Sequence, residues 1–402
     1  MTYNRTDIFL LFSARSIRLF AYGALSVILA LYLHETGLSE TQVGLLFSLT
    51  LAGDAGISLW ITTVADRVGR KRMLLLGAGL MILAGVMFGL TGNPLLLMIA
   101  AVVGVISPSG NEIGPFLSLE QAALSQLIPS DTRTKAFAWY NLAGSLATAT
   151  GALAGGFLSQ GLRHAGFSQL ESYRAVILGY SACGILLGVL FLFLSSAVEA
   201  AVTVPDAKRV LGLHTSKTIV FKLSALFALD AFAGGFVIQS MVAYWFHVKF
   251  GIEAGLLGSI FFGANILAGI SALLAVKIAA RIGLINTMVF THIPSNVLLC
   301  LVPFMPNLSS AITVLLLRFS ISQMDVPTRQ SYTMAVVATD ERSAASGVTA
   351  IARSIGAAIS PAMSGIFLAS PALLGAPFLF AGGLKIVYDV LLYRSFRRAD
   401  VK

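Results

Sequence analysis

Ala65-Asp66-Arg67-Val68-Gly69-Arg70-Lys71-Arg72 is a charged turn set between two long apolar runs. Upstream, residues 43–64 carry no charge except Asp54; downstream, residues 73–90 carry none. A turn with four cations and one carboxylate cannot lie in hydrocarbon, where each charge costs at least about 2.5–3.5 kcal/mol near the bilayer centre. It therefore sits in a headgroup layer between two membrane-length segments. Lys and Arg in short loops mark the cytoplasmic side, so this turn orients the remainder of the chain.

Working outward, the same alternation of apolar run and polar break fills all 402 residues. Charged residues make up 11% of the chain, against about 25% in soluble domains. With a mean hydropathy of +0.86, a soluble globular protein is excluded. The runs predict twelve spans, near 7–33, 41–64, 73–91, 95–127, 136–160, 173–196, 219–247, 254–280, 284–304, 308–337, 343–369 and 374–396. Their ends are good to about four residues. The first span has no cleavage pattern and is expected to stay.

Eighteen Lys and Arg fall on the termini and even-numbered turns, and only Arg163, Arg174 and Lys249 on the opposite turns. That asymmetry puts both termini in the cytoplasm and requires an even number of spans. It also accounts for the net charge of +9 without nucleic acid as a partner. Cys183 and Cys300 lie in separate apolar runs and read as small packing residues rather than a disulfide or metal pair.

The longest polar interruption divides the chain six spans from six, giving an N-terminal bundle at 1–198, a cytoplasmic linker at 199–218 and a C-terminal bundle at 219–402. The halves are alike. Asp131-Thr132-Arg133 through Leu158 aligns without a gap onto Asp340-Glu341-Arg342 through Phe367, 209 residues later, and Ala280-Arg281-Ile282-Gly283 is a worn copy of the opening turn. A parallel repeat of this kind marks a carrier with its binding site between the halves.

The order Asp66-Arg67-x-Gly69-Arg70-Lys71 resembles the signature between the second and third helices of the major facilitator superfamily, the large family of secondary carriers. The resemblance covers the whole chain in architecture. It implies an all-α membrane protein of two pseudo-symmetric six-helix bundles around a central cavity, working by alternating access. It also implies that Asp66, Arg67, Gly69 and Arg70 latch the two halves. Ala147-x-x-x-Gly151-Ala152-x-x-Gly155-Gly156 is similar to the fifth-helix motif of drug/proton antiporters in that family, although small residues so spaced also serve close helix contact. Three departures stand out: Thr62 replaces a glycine of the turn signature, Ala152 replaces a proline of the antiporter motif, and Arg318 lies in the tenth span while the usual arginine of the fourth is missing.

Twelve ionisable residues fall inside spans, and eight of them lie on the first, fourth, seventh and tenth: Arg15, Arg18, Glu112, Glu120, Asp230, Arg318, Asp325 and Arg329. The others are Asp54, Arg353, Lys385 and Asp389. Unpaired placement against lipid is unfavourable for all of them. Asp325 and Arg329, and Lys385 and Asp389, are each four apart and share a helix face, which makes mutual neutralisation the plain reading of both pairs. The fourth span carries Ser107-Pro108-Ser109-Gly110-Asn111-Glu112-Ile113-Gly114-Pro115 in its middle. Helix interiors tolerate Pro and Gly poorly, so a break is expected, and backbone groups freed at that depth must find protein, water or ligand.

Glu112, Glu120, Asp230 and Asp325 are the proton-coupling candidates, since a carboxyl in a poorly hydrated cavity beside a movable arginine can load and release a proton. Arg18, Tyr22, Asn111, Gln323, Arg329 and Arg353 are the substrate-cavity candidates. No phosphate-binding loop, metal-binding helix or nucleophile turn is present in the sequence, and the five histidines are scattered, so neither a cofactor, a metal nor an enzyme activity is expected. These observations lead to a monomeric, multi-pass carrier in the cell inner (plasma) membrane, in contact with lipid. It would move a small organic solute by proton-coupled export, with uptake or exchange of an anionic metabolite as the alternative and a non-transporting receptor as the second.

Overall fold

The computed structural model describes residues 5–112, 115–129, 132–199, 213–338 and 341–397. Most of the 199–218 linker, together with Ile113, Gly114, Asp131 and Asp340, lies outside the described residues.

The chain is all-helical, and its helices follow the apolar runs. In order they are α1 (Arg5–Glu35), α2 (Glu40–Val68), α3 (Arg70–Leu90), α4 (Pro94–Val103), α5 (Phe116–Leu127), α6 (Arg133–His164) and α7 (Gln169–Leu192). Then come α8 (Lys217–Gly235), α9 (Gln239–Phe250), α10 (Ala254–Ile282), α11 (Leu284–Leu301), α12 (Leu308–Phe319), α13 (Asp325–Val336), α14 (Arg342–Leu368) and α15 (Ala376–Phe396). Among the described residues, ten segments are long and apolar enough to cross a membrane, Lys217–Phe250 counting as one. The shorter apolar helices α4 and α12 are first halves of the fourth and tenth spans, which brings the total to twelve.

Helix ends are written in the local sequence. Ser39 and Gln42 form a reciprocal capping box at the start of α2, as Ser168 and Glu171 do for α7, each satisfying otherwise orphaned N–H groups. The turn that opened the sequence reading is a single residue, Gly69, with φ of 110° between α2 and α3. A side chain is strained in that conformation.

The fourth span breaks where expected, between Val103 and Phe116. The tenth breaks too, across residues 320–324, where there is neither Gly nor Pro. Its cause lies downstream. In a continuous helix Pro327 would clash with the carbonyl of Gln323; restarting at Asp325 puts the proline in a first turn, where it is tolerated. The seventh span is interrupted at residues 236–238, after Gly234-Gly235. A shift of 209 residues carries both ends of α5 onto both ends of α13, so the repeat extends to the helix break itself.

Two compact units result: Met1–Val204 with Gln239–Phe262, and Pro205–Ile238 with Gly263–Lys402. The chain thus enters the first unit again midway through the seventh span. Within the first unit α1 lies closely along α6. A Cβ added to Gly151 would stand 2.0 Å from the carbonyl oxygen of Phe20, and one added to Gly156 2.3 Å from that of Ala254. The fifth-span glycines are therefore accounted for by backbone contact.

Candidate functional site

In the first unit, α1 carries Arg15 and Arg18 at helical spacing, and the broken fourth span brings two glutamates to them. Arg18 donates through Nη1 and Nη2 to Glu120 at 2.6 and 2.7 Å, and through Nε to Glu112 at 2.7 Å. The Tyr140 hydroxyl on α6 donates to Glu120 as well. Arg18 and Glu120 are fully buried, whereas the Glu112 side chain is 12% exposed. Arg15 lies 3.2 Å from the second Glu112 oxygen, donates to Asn141 at 3.3 Å, and stacks over the Tyr140 ring. The two arginines bridge α1, α5 and α6 through charge-assisted bonds, the strong class of hydrogen bond.

The break leaves carbonyls without helical partners, and protein groups meet them. Ser240 at the start of α9 donates to Pro108 O through its N–H at 3.0 Å and its hydroxyl at 2.7 Å. Ser107 Oγ donates to Asn111 O at 2.8 Å, and Gly110 turns the chain with φ of 68°. Glu112 thus emerges at the C-terminal end of an irregular segment pinned at several points.

The second unit is built on Asp230 of α8. Its oxygens meet Lys385 of α15 at 2.5 Å, Arg329 of α13 at 2.9 Å and Arg353 of α14 at 3.3 Å. Arg329 also pairs with Asp325 at 3.1 Å, as its helical spacing implies. The expected Lys385–Asp389 pair is not formed: Lys385 turns to Asp230, and Asp389 accepts from Asn296 at 3.1 Å and pairs with His292 Nδ1 at 2.9 Å. Packing of α15 on α8 brings Asp230 within reach of Lys385. His292, dismissed as scattered in the sequence, belongs to this network because α11 packs on α15.

The two clusters correspond with their charges exchanged. Arg18 on the first helix pairs with Glu120 on the fourth span; Asp230 on the seventh pairs with Arg329 on the tenth. Glu120 and Arg329 are related by the same shift of 209 residues that relates α5 to α13. The position of a buried bond between first and fourth helices is retained in each half while its polarity is not.

Among the substrate-cavity candidates, Arg18, Tyr22 and Arg329 are buried, Gln323 and Arg353 are partly exposed, and Asn111 is exposed. Tyr22 stacks on Tyr180 at 6.2 Å. Arg15, one of the ionisable residues grouped on the first span, completes the first cluster with Tyr140 and Asn141, and His292 and Asn296 complete the second; nothing in the sequence assigned these last four. An open groove of about 730 Å³ runs along Arg5–Ile17 of α1, and neither cluster lines it.

In the charged turn, Asp66 pairs with Arg70 at 3.0 Å. The Arg70 guanidinium reaches Gln126 at 2.9 Å, and the N–H groups of Arg70 and Lys71 donate to the Glu199 carboxylate at 2.6 and 3.3 Å. A carboxylate at a helix N-terminus is well placed. Arg67 is exposed. Outside the spans of the second unit, Glu341 does the same for α8, accepting from the N–H groups of His214, Thr215 and Ser216. Burial opposes its ionisation, but those bonds and the Ser216 hydroxyl outweigh it and hold the carboxyl at about 2.

Comparison with known proteins agrees with this architecture. A model of the Major Facilitator Superfamily matches residues 11–361. The chain is 29% identical to an uncharacterized membrane protein of Saccharomyces cerevisiae, over 98% of this chain and 95% of that protein. Its fold is similar to that of a bacterial homologue of the human lysosomal transporter Spinster, with a TM-score of 0.71 and 17% identity over 98% of this chain and 96% of the other. It is similar also to the nucleoside transporter NupG, with a TM-score of 0.74 and 12% identity over 97% and 99%. With twelve spans, a repeat of six and a family model spanning most of its length, the chain belongs to the major facilitator superfamily, a family of transporters and not of enzymes.

Proposed function

We propose that this transporter is a secondary carrier that couples a small organic solute to protons, with Glu112 as the proton-carrying carboxylate. The contrast between the two glutamates on Arg18 carries the reading. Glu120 accepts three hydrogen bonds and is fully buried; neutralising it would strand a buried guanidinium, which is strongly unfavourable. Glu112 has one close bond and one longer contact, is partly exposed, and sits beside the helix break. A proton can reach it, and Arg18 keeps its other carboxylate when Glu112 is neutral. Asp230 and Asp325 are each held by Arg329, which favours a structural role for both.

The fifth-span motif supports export, and its glycines also serve close helix contact; uptake of an anionic metabolite is the second reading. The charge sorting supports cytoplasmic termini, and we take the membrane to be that of the cell surface. We assign to Asp66 and Arg70 a latch that acts when the carrier changes state. Spin-label distances between the ends of α2 and α14, compared with and without Asp66→Asn, test it.

Purified protein in proteoliposomes, screened with solute classes under an imposed pH gradient, tests the main proposal. Accumulation should require the gradient and collapse with a protonophore. Accumulation that survives the protonophore would reject proton coupling.

A further inference from the structure

We infer that the solute is an organic monoanion, held in the second unit by Arg353. The inference rests on the proton-coupled reading above and names the substrate class for it.

The ionisable groups inside the spans divide unequally between the units. The first unit has Arg15 and Arg18 against Asp54, Glu112 and Glu120, one anion in excess. The second has Arg318, Arg329, Arg353 and Lys385 against Asp230, Asp325 and Asp389, one cation in excess while His292 is neutral. A proton on Glu112 clears the first imbalance. A bound anion offsets the second.

The pairing pattern locates that vacancy in charge. Arg329 holds two carboxylates, Lys385 is 2.5 Å from Asp230, and Asp389 is occupied by His292 and Asn296. Arg318, in the last turn before the tenth-span break, pairs with no carboxylate among the described residues; its Nε is buried without a hydrogen-bond partner, and its guanidinium lies 4.9 Å over the Phe319 ring. Arg353 has a single 3.3 Å contact, to an Asp230 already served by two nearer cations, and its side chain is 35% exposed. A guanidinium so lightly engaged has free donors for the fork geometry that matches a carboxylate or sulfonate. A cation in a poorly hydrated bundle is favoured by a counterion, which a bound anion supplies to Arg353.

Thermal unfolding of the protein in lipid nanodiscs tests this, using three matched probes: lactate with propane-1,2-diol, benzoate with benzamide, and gluconate with sorbitol. At least one anion should raise the melting temperature of the wild type while its neutral partner does not. Arg353→Gln should abolish that rise and weaken the apparent affinity at least about tenfold, the loss typical of one charged contact, and Arg353→Lys should retain part of it. Glu112→Gln should keep the anion-dependent rise, so that failure of the proton reading and failure of this inference are told apart. The inference is overturned if neutral probes stabilise as well as anions, if no anion stabilises, or if the rise survives Arg353→Gln.

Discussion

Replacing Glu120 with glutamine isolates the structural half of the arginine–glutamate cluster. The substitution keeps volume and one acceptor but removes the charge that receives two Arg18 bonds and the Tyr140 hydroxyl. Arg18 is fully buried and would keep Glu112 as its one carboxylate partner. Breaking a buried pair from one side is destabilising by about 3–5 kcal/mol. Glu112→Gln, in a partly exposed position with one close bond, should lose only about 1–2 kcal/mol, in the range of a single charged hydrogen bond. Tyr140→Phe, which deletes one donor, should fall in the same smaller range. Reversible unfolding in mixed micelles, followed by circular dichroism, orders the three. Adding Arg18→Met to Glu120→Gln should recover part of the loss, because the stranded cation is then gone. The reasoning is refuted if the Glu112 and Glu120 variants are equally destabilised, or if the double variant is worse than the sum of the singles.

Other outcomes follow from individual contacts. In double-mutant cycles of the same unfolding reaction, Lys385 and Asp230 should couple by about 1–3 kcal/mol, as contacting charges do, and Lys385 and Asp389 by less than about 0.5 kcal/mol. Gly151→Ala, whose added Cβ would stand 2.0 Å from Phe20 O, should destabilise by about 1–3 kcal/mol, the usual effect of overpacking. Glu341, held at about 2 in the fold against about 4.3 in an unfolded chain, stabilises the start of α8 above the higher value and loses that effect as pH falls toward the lower one. Pepsin should therefore cut the wild type near His214–Ser216 only as pH approaches the lower value, and Glu341→Gln throughout its acid range; identical cleavage would contradict the assignment.

How far the sequence could be read depended on the distance over which its signals act. Apolar runs, charge sorting and the prolines at 108 and 115 are local, and they led to the spans and the fourth-span break. The break in the tenth was written equally locally, in Pro327, but its effect falls on residues 320–324, which look like helix. Clustering of charge on the first, fourth, seventh and tenth spans pointed to the two ionic centres, while the partners within them were beyond reach. Lys385 and Asp389 share a helix face, yet Lys385 meets Asp230 and Asp389 meets His292, choices decided by which helices pack together. The two glutamates looked alike in sequence. Burial, the two Arg18 bonds to Glu120 and the Tyr140 hydroxyl brought in by α6 separate one from the other.

The most direct test of the account compares wild type with Glu112→Gln in proteoliposomes, using one transported solute and two assays. Solute counterflow at equal pH on both sides requires only that the carrier bind and reorient; uphill accumulation under a pH gradient requires a titrating carboxylate as well. Glu112→Gln should retain counterflow and lose accumulation. Accumulation at the wild-type level would contradict the assignment of proton coupling to Glu112.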